Sequence, residues 1–350
     1  MEEKERKLGI WGKYLTIWVA LCMVIGTLAG KYVTGLSDGL KDFSVADISI
    51  PIAICLFLMI YPIMVQISWE EIRGSLKSPK PLGLTLFSNW AIKPFTMALL
   101  AWLVLSVWFV NSLTPEQIND YRTGLILLGI APCTAMVLMW SYLAKGNMGH
   151  TLVMTAVNSL TMVALYAPLA VLLLGVSGIV VPWDTIAISV AVYILTPLIL
   201  GYITRNQVIK RRGLDWLETR LVPKLGRVSI IALLVTLILV FTIQGDVLFD
   251  SPGVIGIITI AILINILAVF GMTYGLAKLF KFSYQDAAPT ALIAGSNHFE
   301  VAIAVALTLS AVAPGAALAT VVGVLTEVPL MLGLVWVCKR TKGWFTATST

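Results

Sequence analysis

Residues 129–140 read GIAPCTAMVLMW and residues 293–307 read IAGSNHFEVAIAVAL. Each stretch interrupts an apolar run that is otherwise long enough to cross a bilayer. In the first, the helix breaker Pro132 follows Gly129 by three residues and immediately precedes Cys133. In the second, Gly295, Ser296, Asn297, His298 and Glu300 sit inside apolar sequence. Backbone groups freed by such breaks are tolerated in a membrane only where protein or water satisfies them. Paired, interrupted helices at corresponding positions of two halves point to the binding site of a secondary transporter.

The rest of the chain supports a membrane setting. Of 350 residues, 59% are hydrophobic and 12% charged, about half the charge of a soluble domain. Mean hydropathy is +0.93. A spanning helix needs about 20 apolar residues, so ten spans fit with roughly 150 residues left for loops and ends. The net charge of +6 does not indicate nucleic acid, because the basic residues fall between apolar runs, as the positive-inside pattern requires. Cys22, Cys55, Cys133 and Cys338 have neither disulfide-framework nor zinc-ligand spacing. The N-terminal MEEKERKLGIWGK reads as an uncleaved cytoplasmic start.

The apolar runs place spans at 15–32, 48–67, within 82–110, and at 124–144, 152–176, 186–203, 228–243, 254–280, 287–312 and 316–337. Span three is interrupted by Lys93 and Pro94, which suggests a surface helix followed by a shorter span. With a cytoplasmic N-terminus, 21 of the 24 basic residues lie inside, Lys93 counted among them; Lys31, Lys41 and Arg122 lie outside. Both termini are then cytoplasmic. The longest basic connection runs from Arg205 to Arg227. Five spans per half force the second half to be inverted relative to the first, the arrangement common in secondary transporters. The expected organisation is an N-terminus at 1–14, a five-helix repeat at 15–180, an inverted repeat at 181–338 and a C-terminus at 339–350. The chain contains no nucleotide-binding loop of the Walker type, so an ion or solute gradient must supply the energy.

Several side chains could carry the chemistry. Glu300 lies within a span, where an ionised carboxylate costs several kcal/mol and is functional by default. Glu327, in TEVPLML, is a second intramembrane acid; a packing hydrogen bond beside Pro329 is the bland alternative. A buried cysteine is usually a small hydrophobe, which suffices for Cys22, Cys55 and Cys338. Cys133 differs because the break at Pro132 opens space beside it, where a thiol suits a soft solute. His298 and Glu300, two residues apart on a helix, would not face each other. Interhelical hydrogen bonding accounts for Asn89 and Asn158. The eleven Trp lie mostly near span ends, as interface anchors.

At these residues the chain resembles the arsenical resistance three family of arsenite efflux permeases. The likeness is carried by APCTAMVLMWSYLAKGN, TLVMTAVNSLTMVALYAPLAVLLLG, GSNHFEVAIAVAL, GAALATVVGVLTEVPLML and YPIMVQISWEEI. The resemblance implies an all-α integral membrane fold, like that of bile-acid/sodium symporters. It has ten transmembrane helices in two inverted five-helix repeats, with discontinuous helices four and nine crossing at the membrane centre. It also implies that Cys133 and Glu300 are required for transport. The family usually has a second asparagine where this chain has His298.

The expected function is export of arsenite, as neutral arsenous acid, from the cytoplasm across the cell membrane in exchange for protons. A neutral solute gains nothing from membrane potential, so uphill export needs a coupled ion. Cys133 is the candidate arsenic ligand. Glu300, with Glu327 second, is the candidate proton carrier. Ser296, Asn297 and Thr134 are expected to line the same cavity. The expected partners are arsenite, with antimonite a second candidate solute, protons and membrane lipid; no nucleic acid, cofactor or resident metal is expected. The alternative is a sodium-coupled uptake carrier for an organic anion on the same fold. That carrier would want clustered oxygens at both crossings, and APCTAM supplies little beyond Thr134. A membrane enzyme would need convergent catalytic groups, which two histidines and scattered acids do not offer.

Overall fold

A computed structural model describes residues 15–33, 35, 39–40, 44–45, 48–66, 79–134, 136–179, 182–245 and 251–345. The expected cytoplasmic N-terminus, the ISWEEI part of the span-two motif, Lys41, Arg73, Lys77, the repeat boundary at 180–181 and residues 346–350 lie outside these.

Among the described residues the regular secondary structure is helix, apart from a short antiparallel pair, Ser44–Val45 with Ile48–Ser49. Helices Leu15–Tyr32 and Ile50–Gln66 form spans one and two. The stretches Pro79–Trp108, Met148–Val176, Trp183–Ile243, Pro252–Leu279 and Ala316–Arg340 are long and apolar enough to cross a membrane. Their order is the one expected for ten spans, and spans four and nine are each split in two. Span four is Pro115–Gly129 followed by Val137–Leu143; span nine is Tyr284–Gly295 followed by Phe299–Thr308. Large apolar side chains such as Ile17, Leu99, Leu172, Ile188 and Ile231 stay exposed on the outer faces, where lipid tails replace water.

Local sequence explains the helix boundaries. Span four starts earlier than its hydropathy suggests, because Thr114 and Gln117 close a capping box and Pro115 takes the first turn, where its missing N–H costs nothing. Asn147 and Ser283 cap the helices that follow them, accepting hydrogen bonds from His150 N–H and Asp286 N–H.

Two expectations change. Span three is not a surface helix followed by a shorter span. It is one helical stretch, Pro79–Trp108, and Lys93 is fully buried near its midpoint. Pro94 cannot donate a backbone hydrogen bond, and the helix absorbs that loss by widening to a π-turn over Ser88–Ile92. Lys93 therefore leaves the cytoplasmic count. Nor is Arg205 to Arg227 a loop. Helix runs through it except at Gly213, whose φ of 83° turns the chain between spans six and seven. Arg205 itself is buried, and its guanidinium donates to the Val65 and Gln66 carbonyls at the end of span two.

Close helix packing fixes span four against its neighbours. A Cβ placed on Gly124 would collide with the Ala316 carbonyl oxygen, and one on Gly129 would lie 2.5 Å from Met97 Cβ. Spans three, four and ten thus approach to glycine distance just below the break in span four.

Candidate functional site

The two helix breaks meet. The unwound stretches pair antiparallel at Pro132 and Asn297, and the His298 N–H donates to the Ala131 carbonyl at 2.8 Å. Each break is stabilised by side chains from other spans. In span four, the Tyr166 hydroxyl donates to the freed Leu127 carbonyl at 3.2 Å. Asn158 Nδ2 donates to the Cys133 carbonyl at 3.3 Å, and Asn89 Nδ2 donates to Asn158 Oδ1 at 3.1 Å. The interhelical bonds expected of the two asparagines are present, and they hold the cysteine's own peptide.

In span nine, two opposite charges grip the same dipeptide. Lys93 Nζ donates to the Ser296 carbonyl at 2.7 Å and approaches the Ala131 carbonyl at 3.4 Å. Glu327 Oε1 accepts from Ser296 Oγ at 2.5 Å and from the Asn297 N–H at 3.0 Å, while Oε2 accepts from Asn297 Nδ2 at 3.3 Å.

Most of the expected site residues gather here. Cys133 is buried in the unwound stretch, directly after the residue that pairs with Asn297. Thr134, Ser296, Asn297, Glu300 and Glu327 are all buried. Thr134 Oγ1, Asn297 Oδ1 and Glu300 Oε1 have no hydrogen-bond partner among the described residues. Buried polar atoms are normally paired, so unpartnered oxygens on both unwound stretches and the turn after them suit a site that receives a polar solute. Cys22, Cys55 and Cys338 are free thiols on other spans.

One reading of the sequence is corrected, and one alternative is made specific. His298 does face Glu300, with Nδ1 2.8 Å from Oε2. The helix-spacing argument fails because His298 is the non-helical residue before the second half of span nine, at φ −93° and ψ 75°. Glu327 makes hydrogen bonds of the kind the structural alternative expected, and they fall on both residues of the span-nine break. Lys93 was read as an interruption of span three because Lys-Pro resembles the end of a helix. The signal that finds it is a lone cation inside an apolar run of spanning length.

Comparison with known proteins agrees with this architecture. The Sodium Bile acid symporter family matches residues 53–251. An uncharacterized transporter of Synechocystis sp. is 50% identical over 347 residues, covering 97% of this chain and 91% of its own length. The arsenical-resistance protein Acr3 of Alkaliphilus metalliredigens is 41% identical, covering 97% and 95%. That of Corynebacterium glutamicum is 32% identical, covering 95% and 90%. The chain is a multi-pass membrane transporter rather than an enzyme, and it belongs to the sodium bile acid symporter family together with the Acr3 arsenical-resistance proteins.

Proposed function

We propose that this transporter exports arsenite from the cytoplasm in exchange for protons. The observation that carries the reading is the placement of Cys133: a soft thiol buried in an unwound stretch, directly after the Pro132–Asn297 pairing and next to the unpartnered Thr134 hydroxyl. Two full-length relatives named as arsenical-resistance proteins support the substrate class. Thiols prefer soft centres such as trivalent arsenic. Arsenous acid also presents hydroxyl donors, and the unpartnered oxygens of Thr134, Asn297 and Glu300 are suited to accept them. Antimonite has the same chemistry and is the second candidate solute.

Glu300 is the proposed proton carrier. Arsenite entering from the cytoplasm displaces its proton inward; arsenite leaving on the far side lets Glu300 take a new one and reset the carrier. His298 Nδ1 lies 2.8 Å from Glu300 Oε2. Glu327 and Lys93 keep the crossing intact through the cycle. The two halves are proposed to be inverted repeats, with residues 15–180 and 181–338 moving against each other around the crossing. Both termini face the cytoplasm across the plasma membrane, as the basic-residue bias implies.

The test is arsenite uptake into everted vesicles with and without an imposed proton gradient, in sodium-free and sodium-containing buffer. Gradient-dependent, sodium-independent uptake is expected. Uptake that needs sodium, or that ignores the proton gradient, refutes the exchange.

A further inference from the structure

Lys93 calls for its own explanation. Fully buried lysines are rare unless paired, and this one has roughly 20 Å of helix on either side, which puts it near the bilayer midplane. Its Nζ does not approach an exposed edge. It sits between the carbonyls of Ala131 and Ser296. Ser296 directly follows the C-terminal end of the first half of span nine, Tyr284–Gly295, and Ala131 lies two residues past that of span four, Pro115–Gly129. Two half-helices thus aim their negative dipole ends at one ammonium. Unwound carbonyls and half-helix C-terminal ends are the groups that coordinate a coupling cation in transporters with broken helices. Glu327 supplies a negative charge on the other side of Ser296 and Asn297.

We propose that Lys93 is a tethered cation: its ammonium fills the carbonyl seat between the two helix breaks that would otherwise take a sodium ion, so the carrier runs without sodium. The seat is made by the crossing itself, and the four-carbon stem of Lys93 delivers the charge from span three. A tethered charge stays at high local concentration in both phases of a transport cycle. It therefore stabilises the crossing continuously, whereas a free sodium ion would bind and leave once per cycle. The inference concerns the ion seat alone and holds whichever solute is carried, so it can fail while the arsenite reading stands, and the reverse.

The experiment measures thermal unfolding of purified, detergent-solubilised protein in equal concentrations of sodium, choline or methylammonium chloride. The unsubstituted transporter is expected to unfold at the same temperature in sodium and choline. Lys93→Ala empties the seat; it is expected to unfold earlier in choline and to recover by at least about 3 °C in sodium or methylammonium, since a ligand that binds only the folded state raises its stability. Lys93→Arg keeps the charge and is expected to stay indifferent to the salt. Sodium-specific stabilisation of the unsubstituted protein overturns the proposal, as does equal destabilisation of Lys93→Ala in all three salts. If Lys93→Ala cannot be purified, Lys93→Gln takes its place with the same readout. Failure of both neutral variants alongside a folded Lys93→Arg supports the charged seat, and failure of all three overturns it.

Discussion

Lys93 and Glu327 should behave as one electrostatic unit, and a double-substitution cycle measures this. Lys93→Met removes the ammonium while nearly keeping its volume; Glu327→Gln removes the carboxylate charge and keeps its shape. Each single change leaves the other charge fully buried without its counter-charge; because the two meet through Ser296 and Asn297 rather than directly, the loss should be about 2–3 kcal/mol, below the value for a touching buried pair. Lys93→Met also loses the donor to the Ser296 carbonyl, and Glu327→Gln weakens three hydrogen bonds to Ser296 and Asn297. Part of the second loss is recoverable, because Asn297 Oδ1 is unpartnered and a flipped Asn297 amide could accept from the new glutamine. Each single variant should therefore unfold on the order of 5–10 °C below the unsubstituted protein. The double variant restores neutrality and should fall well short of the summed losses, with an interaction of about 2 kcal/mol or more. The assay is unfolding of the purified transporter in detergent, followed by intrinsic tryptophan fluorescence. Losses that add to within about 0.5 kcal/mol would refute the idea that the two charges compensate across the span-nine break.

Four further outcomes are expected. Cys133→Ser keeps the size but lacks a soft donor, so everted vesicles carrying it should lose arsenite uptake while the protein still reaches the membrane; joint replacement of Cys22, Cys55 and Cys338 should leave most activity, and normal uptake by Cys133→Ser would reduce the thiol to packing. Glu300→Gln cannot cycle a proton and should abolish gradient-driven uptake, with Glu300→Asp partly active; a normal rate in Glu300→Gln would move proton coupling to Glu327 or His298. Gly124→Val forces a branched side chain against the Ala316 backbone and should lower stability by about 1–3 kcal/mol or more, read as a reduced unfolding temperature; an unchanged one would show that spans four and ten pack more loosely there. A cysteine placed at Arg211 should resist impermeant thiol reagents added to intact cells, and ready labelling would overturn the proposed orientation.

How much of the site was legible depended on the kind of residue. Cys133 and the GSNHFE stretch stood out because proline, glycine and polar groups inside apolar runs are costly and so conspicuous. Glu327 was visible as an intramembrane acid, but sequence alone ranked it below Glu300 as a proton carrier. The hydrogen bonds to Ser296 and Asn297 give it a structural duty that the sequence could not express, since thirty residues separate Glu327 from Asn297. His298 and Glu300 were judged by helical spacing, and that spacing lapses where the helix has not yet begun. Lys93 was lost to the opposite error: a lysine before a proline reads as a boundary, whereas a π-turn let the helix continue through it.

The sequence by itself determined that the chain is a bundle of apolar helices, the order of those helices and the two places where they break. Those features follow from local properties: the hydrophobic length needed to cross a bilayer, the missing N–H of proline and the poor helix propensity of glycine, serine and asparagine. Only the tertiary structure decided which groups satisfy the breaks. A broken helix exposes backbone groups, and in a membrane these must find partners at once. The partners come from spans three, five and ten, far away in sequence: Lys93, Tyr166 and Asn158, and Glu327. Hydrophobic periodicity carries no record of such pairings, because it reports which face of a helix avoids water and not which distant side chain will meet a freed carbonyl.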